Sequence, residues 1–461
     1  MKVKLRISGR HYDRLRSHLF PSDGKEAVAV ALCGRRHGHE SHCLSAHDLV
    51  LIPHEACAER SAFRVTWPTS LLVPSLQQAM KRQWAVVKIH SHRGHYPQFS
   101  EYDDESDLQL FSSVYGWMDS DFPHASAVML PDGQMIGRVV GPDGRFRPLS
   151  LIAVAGDDLN FWHDGPIGQD LPAFTLRHAQ AFGKGTTNRL RRLTVAVIGC
   201  SGTGSPVVEQ LARLGVGRLI LVDPDKVEEK NLNRILNATM ADALAGRLKV
   251  DVAADAVVRM ELGTEVVAVR ENIVNPGVVR LVAESDVVFG CMDGAEGRNL
   301  LNRVATFYCI PYFDVGIRLE ADGCGGISQI CGSVNYLQPG GSSLLSRKVI
   351  IPEDIASEGL RRTDPAAYAE QVIARYIKGV QEDRPAVVSV NMHYASLAVN
   401  EFLARLHPFR DDGNDGFAWF GSSLTQARFI QAADGEPCPS LSRHVGRGDT
   451  MPPLDMPALS E

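Results

Sequence analysis

The stretch TVAVIGCSGTGSPVVEQLARLGVGRLILVD, residues 194–223, decides how the larger part of this chain folds. Thr194 to Ile198 is a short apolar, β-branched run with the composition of a buried strand. Gly199, Gly202 and Gly204 crowd the next turn, a helical stretch runs from Pro206 to Leu214, and Arg218 to Val222 is a second strand. Strand, glycine-rich turn, helix and strand make a βαβ unit, which implies a parallel sheet with helices packed on it. Such a turn lets the backbone approach phosphates, and the helix N-terminus favours their charge. Asp223, at the end of the second strand, fits the ribose-binding acid of a Rossmann-like site. This much is compatible with NAD, FAD or ATP.

Downstream residues decide against hydride transfer. Asn231, Leu232, Asn233 and Arg234 come next, then Lys249, then Cys291-Met292-Asp293 after another strand-like run, with Arg298 close by. Attack of a carboxylate on an α-phosphate brings two anions together, so cations must neutralise them and a carboxylate must hold magnesium. These motifs resemble the ThiF/MoeB/HesA family, the adenylating core shared with ubiquitin-activating enzymes, from about residue 175 to at least 330 and less clearly to about 405. The resemblance implies that Asp223 holds the ribose of ATP, that Asn231, Arg234 and Lys249 contact its phosphates, and that Asp293 carries magnesium. It also implies that Arg177 reaches ATP across a homodimer interface. Arg298 fits either this site or a structural ion pair.

The family pattern breaks in two places. Members with a structural zinc carry two Cys-x-x-Cys pairs, but here Ser343 and Ser346 stand for the first and Cys438 with Leu441 for the second. One thiolate cannot build tetrahedral zinc, so no structural metal is expected in this half. Nor is there a cysteine between Gly332 and Pro437 to carry a thioester. Cys324 and Cys331 read as structural. Cys438, in a Pro- and Gly-rich tail expected to be exposed, is the remaining candidate, or a remnant of the lost zinc site.

Upstream, residues 156–172 are rich in Asp, Gly and Pro and read as a linker. The part before them reads as α+β: a strand from Val3, a helix from His11 to Phe20, strands from Ala27 to Cys33 and Trp84 to Ile89, a helix from Asp103 to Trp117, then hairpins. The strand ending at Ile89 runs into HSHRGHYPQFSEYD, residues 90–103. Two imidazoles one residue apart can reach one point, and a carboxylate from the following helix can complete three ligands. Zinc with three N/O ligands and an open fourth position brings a water there to a near-neutral pKa. His90-x-His92, Ser100 and Asp103, at this spacing, match the signature of the JAMM (MPN-plus or JAB) metalloproteases, which include isopeptidases that cut ubiquitin from its targets. The resemblance covers roughly residues 1–150. It implies that His90, His92 and Asp103 bind zinc, that Ser100 steadies the oxyanion, and that Glu26, ahead of a strand ending in Cys33-Gly34, is the general base. His37, His39 and His42 have no carboxylate at a fixed offset and are not counted as a site.

The bulk numbers agree with this division. A chain of 461 residues is too long for one ordinary core, and 44 % apolar with 22 % charged residues is normal for a globular protein. A net charge of −6 disfavours nucleic acid as a partner, and the cluster Arg189, Arg191 and Arg192 is short. No apolar run is long enough to span a bilayer, and the N-terminus lacks the apolar core of a secretory signal. Nine scattered cysteines fit a reducing cytoplasm.

The expected architecture is α/β. An α+β JAB/MPN metalloprotease domain (1–155) and a linker (156–172) precede a Rossmann-like ThiF-type domain (173–430) and a tail (431–461). The two resemblances together imply a bifunctional enzyme of a bacterial ubiquitin-like pathway. It would adenylate a β-grasp modifier and trim or deconjugate it, alongside a separate conjugating enzyme; a role in defence against phage rests on analogy. Sulfur-carrier activation in cysteine, thiamine or molybdopterin metabolism is the main alternative, and a non-catalytic modifier-binding scaffold the other.

Overall fold

A computed structural model of the chain describes residues 2–38, 41–165, 168, 170–374 and 385–460. They form two compact units, one of residues 1–166 with 306–309 and 443–457, the other of 167–305 with 310–442 and 458–461.

The strand Val28–His37 explains the core of the first unit. Its side chains alternate between the two faces of the sheet. Ala29, Ala31 and Cys33 join one apolar cluster, which takes Leu15 and Leu19 from helix Gly9–Leu19. Val28, Val30 and Leu32 join another, with Leu76 of helix Val73–Arg82 and Phe111 and Val114 of helix Glu101–Met118. The sheet is thus buried on both faces. Its nine strands run Leu159–His163, Leu151–Ala155, Lys2–Ser8, Ser41–Leu51, Val28–His37, Ala85–Ser91, His124–Met129, Met135–Val140 and Phe146–Pro148.

The second unit has eight strands, in the order Glu265–Val269, Arg218–Val222, Thr194–Ile198, Val287–Gly290, Tyr312–Ala321, Ile327–Leu337, Trp419–Ser423 and Arg428–Ala432. The first five are parallel and the rest antiparallel. Chain order reverses between Thr194–Ile198 and Val287–Gly290, which opens a crevice at their C-terminal ends.

Three expectations need correction. The stretch 156–172 is not all linker: Leu159–His163 pairs antiparallel with Leu151–Ala155, burying Leu159 and Phe161. Its Gly-Asp-Asp composition belongs to the hairpin turn, and that turn masked the short alternation behind it. Pro166, Ile167 and Gln169 of this stretch lie outside the described residues. The strand with Ala27–Cys33 runs on past Gly34 to His37. Nor are residues 431–461 a loose tail, since the backbone N–H of Gly34 donates to Gly446 at 3.0 Å and that of Asp449 to Arg35 at 2.7 Å. No helix among the described residues is long and apolar enough to cross a membrane.

Candidate functional site

His90 and His92 come from the end of strand Ala85–Ser91 and the residue beyond it, and Asp103 from the first turn of helix Glu101–Met118. His90 Nε2 lies 3.2 Å from His92 Nε2 and 2.9 Å from Asp103 Oδ1, and His92 Nε2 lies 3.4 Å from Asp103 Oδ2. Ligands about 2.1 Å from a tetrahedral zinc stand roughly 3.4 Å apart; here one ligand atom from each residue lies within 4.8 Å of the others, an N,N,O set with the chemistry the ion needs. The ring of His92 is oriented through Nδ1, 3.4 Å from the carbonyl of Tyr96, which leaves Nε2 to face the ligand set. Burial holds His90 below its ordinary pKa, whereas at His92 burial is outweighed by the hydrogen bond with Asp103, which raises it. Burial alone would raise Asp103, but its hydrogen bonds with His90 and His92 outweigh this and hold the carboxyl well below the usual range. Among the described residues this is the one His/Cys/Asp/Glu group with metal-ligand spacing. His39 lies outside the described residues.

Ser100 caps the helix that carries Asp103. Its Oγ donates to Asp103 Oδ2 at 2.7 Å and accepts from the Asp103 N–H at 3.2 Å, while its own N–H donates to Oδ2 at 2.8 Å. The expected oxyanion group is therefore also what orients a ligand carboxylate. Glu26 is brought to the same end of the sheet by strand pairing, with Val28 opposite His90. It is buried, and burial pushes its carboxyl up to about 7, against the pull of His92.

In the second unit the glycine turn sits at the mouth of the crevice. Gly199 has a φ of +92°, and a Cβ on Gly204 would fall 1.7 Å from the carbonyl oxygen of Gly199, so the turn closes only without side chains. A Cβ on Gly202 would lie 2.9 Å from Cδ of Arg234, which brings that arginine beside the turn. Asp223 is buried and accepts the N–H of Cys200 at 2.7 Å and of Asp225 at 2.9 Å; burial pushes its carboxyl up. Lys249 is buried and pairs with Asp225 at 2.8 Å. Arg234 is half-buried and donates to the Lys230 carbonyl and to Asn233 Oδ1, both at 3.0 Å. Asn231 is buried, its Oδ1 accepting the N–H of Glu228 at 3.1 Å. Asp293 is exposed just past strand Val287–Gly290, and Arg177 is exposed on helix Leu176–Leu190.

Two assignments change here. Arg298 is a structural partner: it grips the fully buried Asp314 through Nε at 2.8 Å and Nη2 at 2.6 Å. Cys438 is not a mobile thiol but is buried, 3.0 Å from Ser343 Oγ and 3.2 Å from Ser440 Oγ, while Ser343 and Ser346 are themselves hydrogen-bonded. Burial raises its pKa, but the Ser343 and Ser440 hydrogen bonds outweigh that and leave the thiol below its ordinary value. Three of the four positions singled out around the Cys-x-x-Cys pairs thus meet, Ser343 Oγ bonding to Cys438 and Ser346 Oγ accepting the Ser343 N–H. Cys324 is exposed and Cys331 half-buried. Two residues went unread in the sequence. Asn391 donates to Thr203 Oγ1 at 3.1 Å within the glycine turn, and Asp225 holds Lys249; both act from a distance in sequence or outside any motif spacing.

The family model of ThiF matches residues 175–430, and that of the prokaryotic homologs of the JAB domain matches residues 8–132. Ubiquitin-like modifier-activating enzyme 5 of Drosophila persimilis is 30% identical over 188 residues, 38% of this chain and 46% of that protein. Adenylyltransferase and sulfurtransferase MOCS3 of Bos taurus is 41% identical over 114 residues, 25% of each chain. The chain thus spans less than half the length of these curated relatives. Among solved structures, E. coli MccB with succinimide aligns at a TM-score of 0.45 and 18% identity, over 59% of this chain and 74% of that one.

Proposed function

The chain belongs to the ThiF family and carries a JAB domain ahead of it, and from that premise we propose a bifunctional enzyme acting on one ubiquitin-like protein. The second unit adenylates the C-terminal carboxylate of this β-grasp modifier, and the first hydrolyses a bond at that terminus, to mature the modifier or release it from a target. The observation that carries the reading is the presence in one chain of a preassembled N,N,O ligand set beside Glu26 and a glycine-turn crevice flanked by Arg234 and Lys249.

In the adenylation step a carboxylate oxygen of the modifier bonds to the α-phosphorus of ATP, and the bond to the β-phosphate oxygen breaks with loss of pyrophosphate. The glycine turn gives the phosphates backbone N–H groups, and Arg234, Lys249 and Asn231 offset the charge that develops. Asp223 holds the ribose, and Asp293 would hold magnesium. Arg177, exposed on its helix, reaches the nucleotide of a second copy in a homodimer. In the hydrolysis step, zinc held by His90, His92 and Asp103 would supply the Lewis acidity that polarises the scissile carbonyl and acidifies water. Glu26 takes the proton of the attacking water and returns it to the leaving amine. Ser100 keeps Asp103 in place through its backbone N–H, and its hydroxyl hydrogen swings from Asp103 Oδ2 to the oxyanion as that charge develops.

The reading places the enzyme in a bacterial, cytoplasmic conjugation pathway with a separate conjugating enzyme, and by analogy in antiviral defence. A second reading, sulfur-carrier activation, is favoured by the likeness to a protein named as an adenylyltransferase and sulfurtransferase. The test is pyrophosphate release by the purified protein with ATP, magnesium and the small β-grasp protein encoded beside it. Modifier-dependent release that vanishes in Asp293→Ala is the expected result; no release with any such neighbour overturns the activation reading.

A further inference from the structure

Helix Glu101–Met118 is joined to strand Ala85–Ser91 by two cross-links of different chemistry. The upper one is the ligand set, His90 against Asp103. The lower one lies two residues back along the strand and four residues on along the helix, offsets that return each side chain to the same face of its element. There Lys88 Nζ donates to Asp107 Oδ1 at 2.7 Å and to Ser106 Oγ at 3.2 Å. Asp107 is fully buried and Lys88 nearly so.

A third strand closes the arrangement. Lys88 pairs in register with Ser126 of His124–Met129, and Ser126 with Arg138 of Met135–Val140. Arg138 donates to Asp107 Oδ2 through Nη2 at 2.7 Å and Nε at 3.1 Å, and its remaining arm reaches Asp104. Its guanidinium lies between the rings of Phe99, 3.9 Å from the centroid, and Phe146, 3.7 Å. Phe99 immediately precedes Ser100, and its ring sits edge-on to His90 at 6.4 Å.

A buried ion pair gives little stability over a well-packed apolar pair, because desolvation consumes most of the attraction. What it does fix is geometry. An apolar contact tolerates sliding along the helix, whereas Asp107 has one height at which it meets both Lys88 and Arg138. That height sets where Asp103, one turn earlier, meets His90.

We propose that Lys88, Asp107 and Arg138 are positioning residues for the metal site, locking helix Glu101–Met118 at the height that lets Asp103 complete the His90–His92 ligand set. The proposal rests on the reading of that set as a zinc site.

The test uses the full chain and the metal alone. Zinc affinity is measured by competition with a chromophoric chelator, and the visible spectrum of the cobalt-substituted protein reports ligand geometry. His90→Ala defines binding not due to this site. Lys88→Met leaves Asp107 paired with Arg138 and is expected to weaken zinc binding by about 10- to 100-fold and to shift the cobalt bands, as loss of a group behind metal ligands does. Lys88→Arg is expected to recover most of the affinity. Val114→Ala, a cavity variant on the same helix, is expected to lower the melting temperature with no change in zinc affinity or cobalt spectrum. If Lys88→Met does not fold, Arg138→Lys, which keeps the charge and loses the fork, replaces it with the same expectations. Unchanged affinity in whichever of these two variants folds and is measured overturns the proposal, as does an equal loss in Val114→Ala. Unaltered protein that binds no more zinc than His90→Ala overturns the metal reading itself.

Discussion

In the first unit, one ligand atom each from His90, His92 and Asp103 lie within 4.8 Å of one another, with Glu26 buried at the same end of the sheet. In the second, the charged groups of the crevice are held by the chain itself or face solvent. Lys249 pairs with Asp225, Arg234 bonds to the Lys230 carbonyl, and Asp293 and Arg177 are exposed. The difference fits what each site is proposed to bind. A small ion needs fixed ligands at bonding distance, and only a packed interface supplies them. A nucleotide with a protein carboxylate is large and highly charged. Cations that wait on weak local partners can exchange them for phosphates at little cost.

That contrast can be broken by experiment. The largest expected effect is on hydrolysis: Asp103→Ala should remove zinc and lower the rate roughly a thousandfold, a loss of several kcal/mol of charge stabilisation. The same variant should leave ATP–pyrophosphate exchange unchanged, and a matching fall in exchange would mean the two sites are not independent. Next, Arg234→Ala should lower modifier-dependent pyrophosphate release about 100-fold, with zinc content unaltered, since it removes one charge stabiliser. Third, Arg298→Ala should destabilise the second unit by about 3–5 kcal/mol in chemical denaturation, because the buried Asp314 carboxylate keeps its Tyr312 and Asn335 hydrogen bonds but loses its cation. A variant of unchanged stability but lost nucleotide binding would return Arg298 to the site. Ser100→Ala should cost about 1 kcal/mol of stability through the lost helix cap and weaken zinc binding as Asp103 loosens. The smallest effect is expected of Gly202→Ala, whose methyl would press on the Arg234 side chain, raising the nucleotide Kd about fivefold, or ~1 kcal/mol.

Where sequence reading went wrong, the cause is physical and local. Leu159–His163 is a five-residue edge strand whose only signal is Leu159 and Phe161 on one face, and the Gly-Asp-Asp turn before it outweighed that signal. The Pro and Gly neighbours of Cys438 point to exposure, yet the thiol is buried. Burial there depends on Ser343, far away in the chain, and composition around the thiol carries no trace of it. Arg298 stood between two roles because an arginine's partner is a matter of which strand lies beside its helix. Here that strand is Tyr312–Ala321, which brings Asp314.

The sequence by itself determined the parts whose chemistry depends on short spacing. His90, His92, Ser100 and Asp103 fall within fourteen positions, and a strand end followed by a capped helix turns that spacing directly into a ligand set. Gly199 and Gly204 likewise close a turn that a Cβ at either position would obstruct. Only the tertiary structure decided what lies across the sheet. Pairing of Val28 with His90 brings Glu26 to the ligands, and the meeting of Lys88, Asp107 and Arg138 sets the height of the helix. Residues 443–457 join the first unit although they lie between segments of the second in the chain. Such contacts are fixed by strand register and by the burial of both sheet faces, which depend on the whole packed core rather than on any single stretch of chain.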